Sequence, residues 1–342
     1  MVQQSRAVIA PRELVINVTL RCPLKCAHCC FSSDMFQHGH LALEDCLLAI
    51  RQAASVGGIE IVHFVGGDPF LHDDIMREAY AVARALGLRG GATTSAYWGK
   101  TAAHARKVLA PLAAAGLTEL TISYDDSHAE FVRVDAIRNA VEAALELGLT
   151  LRIAVTISPG ARLTAAGLRG MLALGERADV KIYETPINAT GRASETVSAA
   201  PAVREFAKAD AAHGPCLSVL RTFTVNHQGA ILPCCGVLPH YEGLRVGTLA
   251  GGMEQAVASA FADPLLKTLA FEGPAAVLDD LGEPRGCEAG VCEVCDRIFR
   301  DPAILARARE RAQERLPRLV ALETAFRGAG LFAPPLAEAD AR

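Results

Sequence analysis

The feature that most constrains the fold is an alternation running from residue 13 to about residue 190. Short β-branched runs are each followed by a longer segment rich in Ala and Leu. The runs are 14–20 (LVINVTL), 59–65 (IEIVHFV), 89–95, 118–124 (TELTISY), 149–157 (LTLRIAVTI) and 179–184. The longer segments are 42–56, 73–86, 101–115, 128–147 and 164–176. Gly87, Gly116 and Gly148 follow three of them, where helices commonly end on a left-handed residue. Repeated strand–helix units build a parallel α/β sheet, because each helix carries the chain back over one face. Periodicity alone does not separate a barrel from a doubly wound sheet.

Beyond residue 190 the pattern changes. Residues 191–205 (GRASETVSAAPAVRE) read as a polar linker, and 217–235 as a hairpin turning at Asn226–Gly229. A short helix is expected near 253–262, then a Gly- and Pro-rich loop over 273–286, a cysteine cluster, and a charged helix over 301–327. In that helix Arg307, Arg311 and Arg315 fall at i, i+4 spacing and predict a solvated face, with a docking surface as the alternative. The tail 328–342 is expected to be loosely ordered. The organisation is therefore a core over 12–190, a linker over 191–205, a cysteine-rich domain over 206–300, and a C-terminal helix and tail over 301–342.

The 342 residues suffice for one large barrel or two domains, and 51% hydrophobic content supports a substantial core. A net charge of −4 gives no electrostatic case for nucleic acid. No apolar run reaches the length of a membrane span, and the N-terminus lacks a signal-peptide pattern, so a cytoplasmic location is expected.

Eleven cysteines in such a chain argue for metal or redox chemistry over a disulfide framework. Five fall between residues 22 and 46, six between 216 and 295, and none between 47 and 215. Cys22, Cys26 and Cys29 form a C-x3-C-x2-C run directly after the first strand. Three thiolates on one short loop can hold three corners of a cubane iron–sulfur cluster, leaving the fourth iron open to a small molecule. A structural zinc is the bland alternative, with His28 as fourth ligand. His28 lies between Cys26 and Cys29, which is awkward for closing a tetrahedron around one ion.

The C-x3-C-x2-C spacing resembles the radical S-adenosylmethionine (SAM) superfamily. The resemblance covers roughly residues 12–190 and implies a (β/α)6 partial TIM barrel carrying a SAM-binding 4Fe-4S cluster. It implies that one electron from the cluster, supplied by a flavodoxin- or ferredoxin-type donor, splits SAM into methionine and a 5′-deoxyadenosyl radical that removes a hydrogen from substrate. Gly66-Gly67-Asp68-Pro69 follows the second strand and is similar to the family's Gly-Gly-Glu-Pro, whose backbone contacts the SAM amino group. This chain has the shorter Asp68 in place of Glu. His28 stands where the family tends to place an aromatic against adenine. Ser123 and Asp125 share one face of the fourth strand and resemble the family's Ser-x-Asp strand end, which reaches the ribose and carboxylate of SAM. Read without the resemblance, they are a polar strand end before a helix capped by Asp126 or Ser127. His128 is a substrate-side group or a first-turn helix residue. Arg152, Thr156 and Glu184 are further candidates from strands five and six.

The second cysteine set reads Cys216-x12-Gly229-x4-Cys234, with Cys292-x2-Cys295 downstream. It resembles the C-terminal auxiliary-cluster module called twitch, the half-length relative of the SPASM domain. The resemblance implies that Cys216, Cys234, Cys292 and Cys295 hold one auxiliary 4Fe-4S cluster, since no cysteine follows Cys295. Cys235 and Cys287 are left over, and either could replace one of the four; zinc on the same cysteines is the alternative. Cys235 adjoins an expected ligand and is a candidate catalytic hydrogen-atom donor, or else a buried thiol. Cys30 and Cys46 are read as packing residues.

The leading functional expectation is modification of a ribosomally made precursor peptide by epimerisation, thioether formation or carbon–carbon crosslinking. Only about a dozen residues precede the first strand, so leader binding is expected from a separate partner. Alternatives are a small-molecule dehydrogenase or epimerase in natural-product biosynthesis, and transfer of the 3-amino-3-carboxypropyl group of SAM to a soft acceptor atom. A non-catalytic scaffold is disfavoured by Gly66–Pro69 and the cysteine triad.

Overall fold

The computed structural model describes residues 9–158, 160–196, 214–235, 241–284, 286, 288 and 290–334. Six strands alternate with helices: β1 (Glu13–Thr19), α1 (Leu43–Val56), β2 (Ile61–Gly66), α2 (Asp73–Ala85), β3 (Arg89–Thr94), α3 (Ala102–Ala115), β4 (Leu117–Ser123), α4 (Asp126–Ala129), α5 (Val134–Glu146), β5 (Thr150–Ile157), α6 (Ala165–Met171) and β6 (Val180–Pro186). All six strands pair in parallel, in the order β6-β5-β4-β3-β2-β1. This is the expected (β/α)6 partial barrel.

Helices α1, α2, α3 and α5 bury apolar residues against the sheet. Phe64 of β2 meets Tyr80 of α2 edge to face at 5.3 Å, and both are fully buried. Such an aromatic pair adds about 1 kcal/mol beyond its buried area. The Tyr80 hydroxyl donates to Gly91 O at 2.6 Å, so its burial leaves no polar atom unpaired.

Two helices differ from expectation for local reasons. The single helix expected over 128–147 is two, because Val132 is buried between them and its carbonyl accepts from the Tyr124 hydroxyl at 3.1 Å. The helix expected over 164–176 ends at Met171; the Arg169 guanidinium donates to Gly175 O, Arg177 O and Val180 O and folds the chain back.

The C-terminal part extends the same sheet. β7 (Thr222–Val225) lies parallel to β1, and β8 (Ala230–Leu232) and β9 (Gly247–Thr248) follow antiparallel, so the full order is β6-β5-β4-β3-β2-β1-β7-β8-β9. The Asn226 side chain accepts from Gln228 N and Ala230 N, both at 3.0 Å, and closes the expected hairpin turn. Within the expected linker, Arg192–Thr196 form a short helix, α7; residues 197–205 lie outside the described residues.

Among the described residues six helices follow: α8 (Met253–Ala262), α9 (Pro264–Phe271), α10 (Pro274–Asp280), α11 (Val291–Arg300), α12 (Pro302–Glu314) and α13 (Leu316–Gly328). The loop expected over 273–286 is helical over its first part, with Pro274 in the first turn. The helix expected over 301–327 breaks at Arg315, just before Pro317, which has no N–H to donate. The arginine row is solvated at Arg307 and Arg311, as expected, and is also paired with acidic residues of the preceding segments. Arg307 pairs with Glu283, Arg311 with Asp280, and Arg315 with Glu272 and Asp280, docking α12 onto the preceding helices. The start of the tail is also ordered: Phe332 is buried against Phe261 and Phe271, and Ile9 N donates to Leu331 O. Among the described residues no helix is long and apolar enough to cross a membrane.

Candidate active site

A cavity of about 490 Å³ opens at the ends of the parallel strands, the size of a small-molecule site. Its wall is built from strand ends and the loops that follow them, as in barrel enzymes generally. The loop after β1 brings Cys22, Cys26, His28 and Cys29; the loop after β2 brings Gly66 and Gly67; the end of β4 brings Ser123. Thr156 of β5 lines it too, whereas Arg152 and Glu184 do not. Arg152 instead pairs with Glu119 at 2.8 Å, and Glu184 accepts from Ala165 N at the start of α6.

Cys22 and Cys26 are buried and Cys29 half-buried. Leu24 N donates to Cys22 Sγ at 3.4 Å and Ser33 N to Cys29 Sγ at 3.3 Å, so two sulfurs already accept hydrogen bonds suited to thiolates. Burial first, then the neighbouring Asp68 and Cys29, pushes the Cys22 thiol up to about 12. Burial and the neighbouring Cys22 and Cys29 likewise push Cys26 up. Thiols held this way ionise when a cation replaces their protons. Cys22, Cys26 and Cys29 do not converge as closely as a single ion would hold them. Tetrahedral zinc needs sulfurs about 3.8 Å apart. Among the described residues, only His28, Asp125 and His128 bring three ligand atoms within 4.8 Å of one another.

Gly66 and Gly67 are required sterically. A Cβ on Gly67 would lie 1.9 Å from Arg21 O, and one on Gly66 2.3 Å from Thr19 O, with φ +148° there. Gly67 N donates to Thr19 O at 2.7 Å and Asp68 N to Arg21 O at 2.9 Å, lashing this loop to the start of the cysteine loop. Asp68 and Pro69 are buried but do not line the cavity. The Asp68 carboxylate accepts from Thr94 Oγ1, Ser95 N, Ser95 Oγ and Phe70 N. Its burial raises its proton affinity against those bonds. Asp68 therefore ties the β2 loop to the end of β3.

Asp125 also acts from behind the wall. It is 1% exposed, and its oxygens lie 2.9 Å from His28 Nε2 and 2.9 Å from His128 Nδ1. It also caps α4, accepting from Ser127 N and His128 N, so the cap is Asp125 and not Asp126 or Ser127. Burial pushes its pKa up, but the adjoining His128 and His28 imidazoles outweigh that and hold the carboxyl well below its usual range. Both imidazoles line the cavity, with ring centres 5.1 Å apart.

Sequence reasoning missed the contributions of Thr94 and Ser95 at the end of β3 and of Asn188 after β6. Their only signal was position at a strand end. Ser33 Oγ and Asn188 Oδ1 line the cavity, are buried, and have no hydrogen-bond partner in the protein. Such atoms call for a polar ligand, and SAM offers an ammonium, a carboxylate and a ribose.

A second cavity, of about 350 Å³, is lined by Cys216, Cys234, Cys235, Cys292 and Cys295. Cys216 precedes β7, Cys234 and Cys235 follow β8, and α11 carries Cys292 and Cys295 three residues apart on one face. A hydrogen bond with Cys235, then burial, pushes Cys292 far up, and burial does the same to Cys295. Cys287 lies outside the described residues. Cys46 is fully buried in α1, a packing residue as expected. Cys30 lines the first cavity.

Residues 16–160 match the Radical SAM superfamily. The chain thus carries a radical SAM domain. It is therefore an enzyme that uses SAM and a 4Fe-4S cluster. YydG of Bacillus subtilis (strain 168), named for peptide biosynthesis, is 26% identical over 66% of this chain and 69% of its own. A GTP 3′,8-cyclase of Synechococcus elongatus is 34% identical over 42% of this chain and 44% of its own. A PqqA peptide cyclase of Xanthomonas euvesicatoria pv. vesicatoria (strain 85-10) is 31% identical over 48% of this chain and 44% of its own. The chain thus spans less than half the length of these two cyclases.

Proposed function

We propose that this radical SAM enzyme modifies a ribosomally made precursor peptide, and that Cys235 returns a hydrogen atom to the substrate radical, as an epimerase requires. One observation carries this reading: Cys235 lines both the SAM-site cavity and the cavity of the C-terminal cysteines. The similarity to YydG and to PqqA peptide cyclases supports a peptide substrate.

In this reading Cys22, Cys26 and Cys29 hold the SAM-binding cluster, and Cys216, Cys234, Cys292 and Cys295 hold the auxiliary one. The first cluster, when bound, supplies the electron that cleaves SAM to methionine and a 5′-deoxyadenosyl radical. The chain's own residues do the rest. Gly66 and Gly67 bring bare backbone to the SAM amino group, while Asp68 keeps that loop in place. Ser123 reaches the ribose end, and His28, clamped by Asp125, sets the position of adenine. The Cys235 S–H bond breaks as a new C–H bond forms on substrate, leaving a thiyl. One electron and one proton from an external donor restore the thiol.

Turnover in D2O tests this. The thiol exchanges with solvent, so each epimerised residue should gain one deuterium. Cys235→Ala should still form 5′-deoxyadenosine but give no epimer. Product lacking two hydrogens and carrying no deuterium would replace epimerisation with crosslinking or dehydrogenation. The GTP 3′,8-cyclase similarity favours a second reading, a small-molecule substrate, and the same assay on candidate metabolites separates the two.

A further inference from the structure

Arg192 opens α7, in the stretch that the sequence reads as a linker. Its guanidinium donates to Cys26 O and to Ser33 O, both at 2.7 Å. Its own backbone N–H donates to Cys29 O at 3.0 Å. Thr196 Oγ1 donates to Ala27 O at 2.8 Å. Four carbonyls of the cysteine loop are thus held by this one short helix. A Cβ on Gly191 would lie 2.1 Å from Cys30 O, so the two segments touch backbone to backbone. The Arg192 side chain is only 13% exposed, and its one ionic neighbour among the described residues is Asp34 at 3.6 Å. Upstream, Ala189 N donates to Glu293, which sits on α11 between Cys292 and Cys295. The segment therefore runs as a strap from the helix of one cysteine set to the loop of the other.

A buried guanidinium is costly unless its donors are used. Its planar fork can span two carbonyls at once, whereas an ammonium is a point charge. We propose that Arg192 is a positioning residue of the radical SAM centre: it fixes the backbone of the cysteine loop and places a positive charge beside the cluster. The inference rests on Cys22, Cys26 and Cys29 being the ligands. Reduction adds a negative charge to the cluster, so a nearby fixed cation favours the reduced form. Without Arg192, Asp34 would stand uncompensated and push the same way.

The test uses the full chain as wild type, Arg192→Lys and Arg192→Met. The first readout is the reduced-to-oxidised ratio of the SAM-responsive paramagnetic signal at a fixed poised potential. The second is amide hydrogen exchange over residues 26–34 in the iron-free protein. The third is the melting temperature. Arg192→Met should lower the ratio about tenfold, the order expected for one unit charge nearby. Arg192→Lys keeps the charge and should stay within about twofold. Exchange over 26–34 should rise in both, because neither side chain spans the two carbonyls. Wild-type ratio and wild-type exchange in a folded Arg192→Met would overturn the proposal. If that variant does not fold, Arg192→Lys decides, and wild-type exchange there overturns it. A wild-type protein that loads iron yet gives no SAM-responsive signal would sink the ligand reading instead, and with it the electrostatic half of the inference.

Discussion

His28 Nε2 lies 2.9 Å from both carboxylate oxygens of Asp125, joining the residue before the third cysteine to the end of the fourth strand. An acidic partner fixes an imidazole's orientation, so the ring proposed to meet adenine is set by a residue 97 positions away. Asp125→Ala removes this clamp and the cap of α4. We expect a stability loss of about 1 kcal/mol from the cap alone, and SAM binding weaker by about tenfold. Urea unfolding checks the first and calorimetry of SAM binding to the reconstituted protein the second; unchanged affinity would mean that His28 needs no anchor.

Gly67→Ala should be far more damaging than its size suggests. The added Cβ meets the backbone oxygen of Arg21, which cannot swing aside as a side-chain tip could. The loop must shift, and a shift of about 1 Å in a reacting geometry costs about a hundredfold in rate. The 5′-deoxyadenosine yield per minute is the measurement, and a yield within about twofold of wild type would contradict the steric account.

Asp68 is predicted to matter for stability rather than SAM contact. Asp68→Ala leaves the donors of Thr94, Ser95 and Phe70 without their acceptor, at a cost of about 3 kcal/mol. Asp68→Glu adds a methylene to a fully buried site and should also destabilise, by about 1–3 kcal/mol. Urea unfolding of the iron-free protein reads both. A glutamate variant as stable as wild type would show that the shorter carboxylate is not required by packing.

His63 on β2 makes the fold acid-sensitive. Burial, then the nearby Arg152, lowers its pKa to about 4, while its Nε2 shares a hydrogen bond with Thr93 Oγ1 at 2.9 Å. The unfolded chain therefore binds the proton first. Stability falls as pH drops from about 6.5 towards 4, by about 2 kcal/mol at pH 5 from this residue. His63→Gln cannot take up that proton and should remove this part of the slope. Urea midpoints at pH 7 and pH 5 compare the two, and equal slopes would place the acid sensitivity elsewhere.

The sequence made most of the six parallel strands legible as short β-branched runs; β1 is buried along nearly its whole length, whereas β5 buries only alternate residues, Leu151, Ile153 and Val155. It did not make β7 legible as a neighbour of β1. Thr222 pairs with Glu13 across more than two hundred residues, and no local pattern encodes such a pairing. The α9 helix was missed although Asp263-Pro264 is a cap followed by a first-turn proline. At the site, the cysteines and glycines were readable because their chemistry is local. Arg192 was not, because its partners are carbonyls, which every residue has. Asp125 was singled out as a SAM contact; in the fold its bonds run to His28, His128 and the start of α4.

Iron content and SAM cleavage in one sample test the central claim most directly. After anaerobic reconstitution with iron and sulfide, the account predicts about eight irons per chain, from two four-iron clusters, and 5′-deoxyadenosine on adding SAM and reductant. Cys22→Ala should lose about half of the iron and all of the cleavage. About four irons in the wild type, absent in Cys22→Ala, would contradict a second cluster, and methylthioadenosine in place of 5′-deoxyadenosine would contradict the proposed hydrogen abstraction.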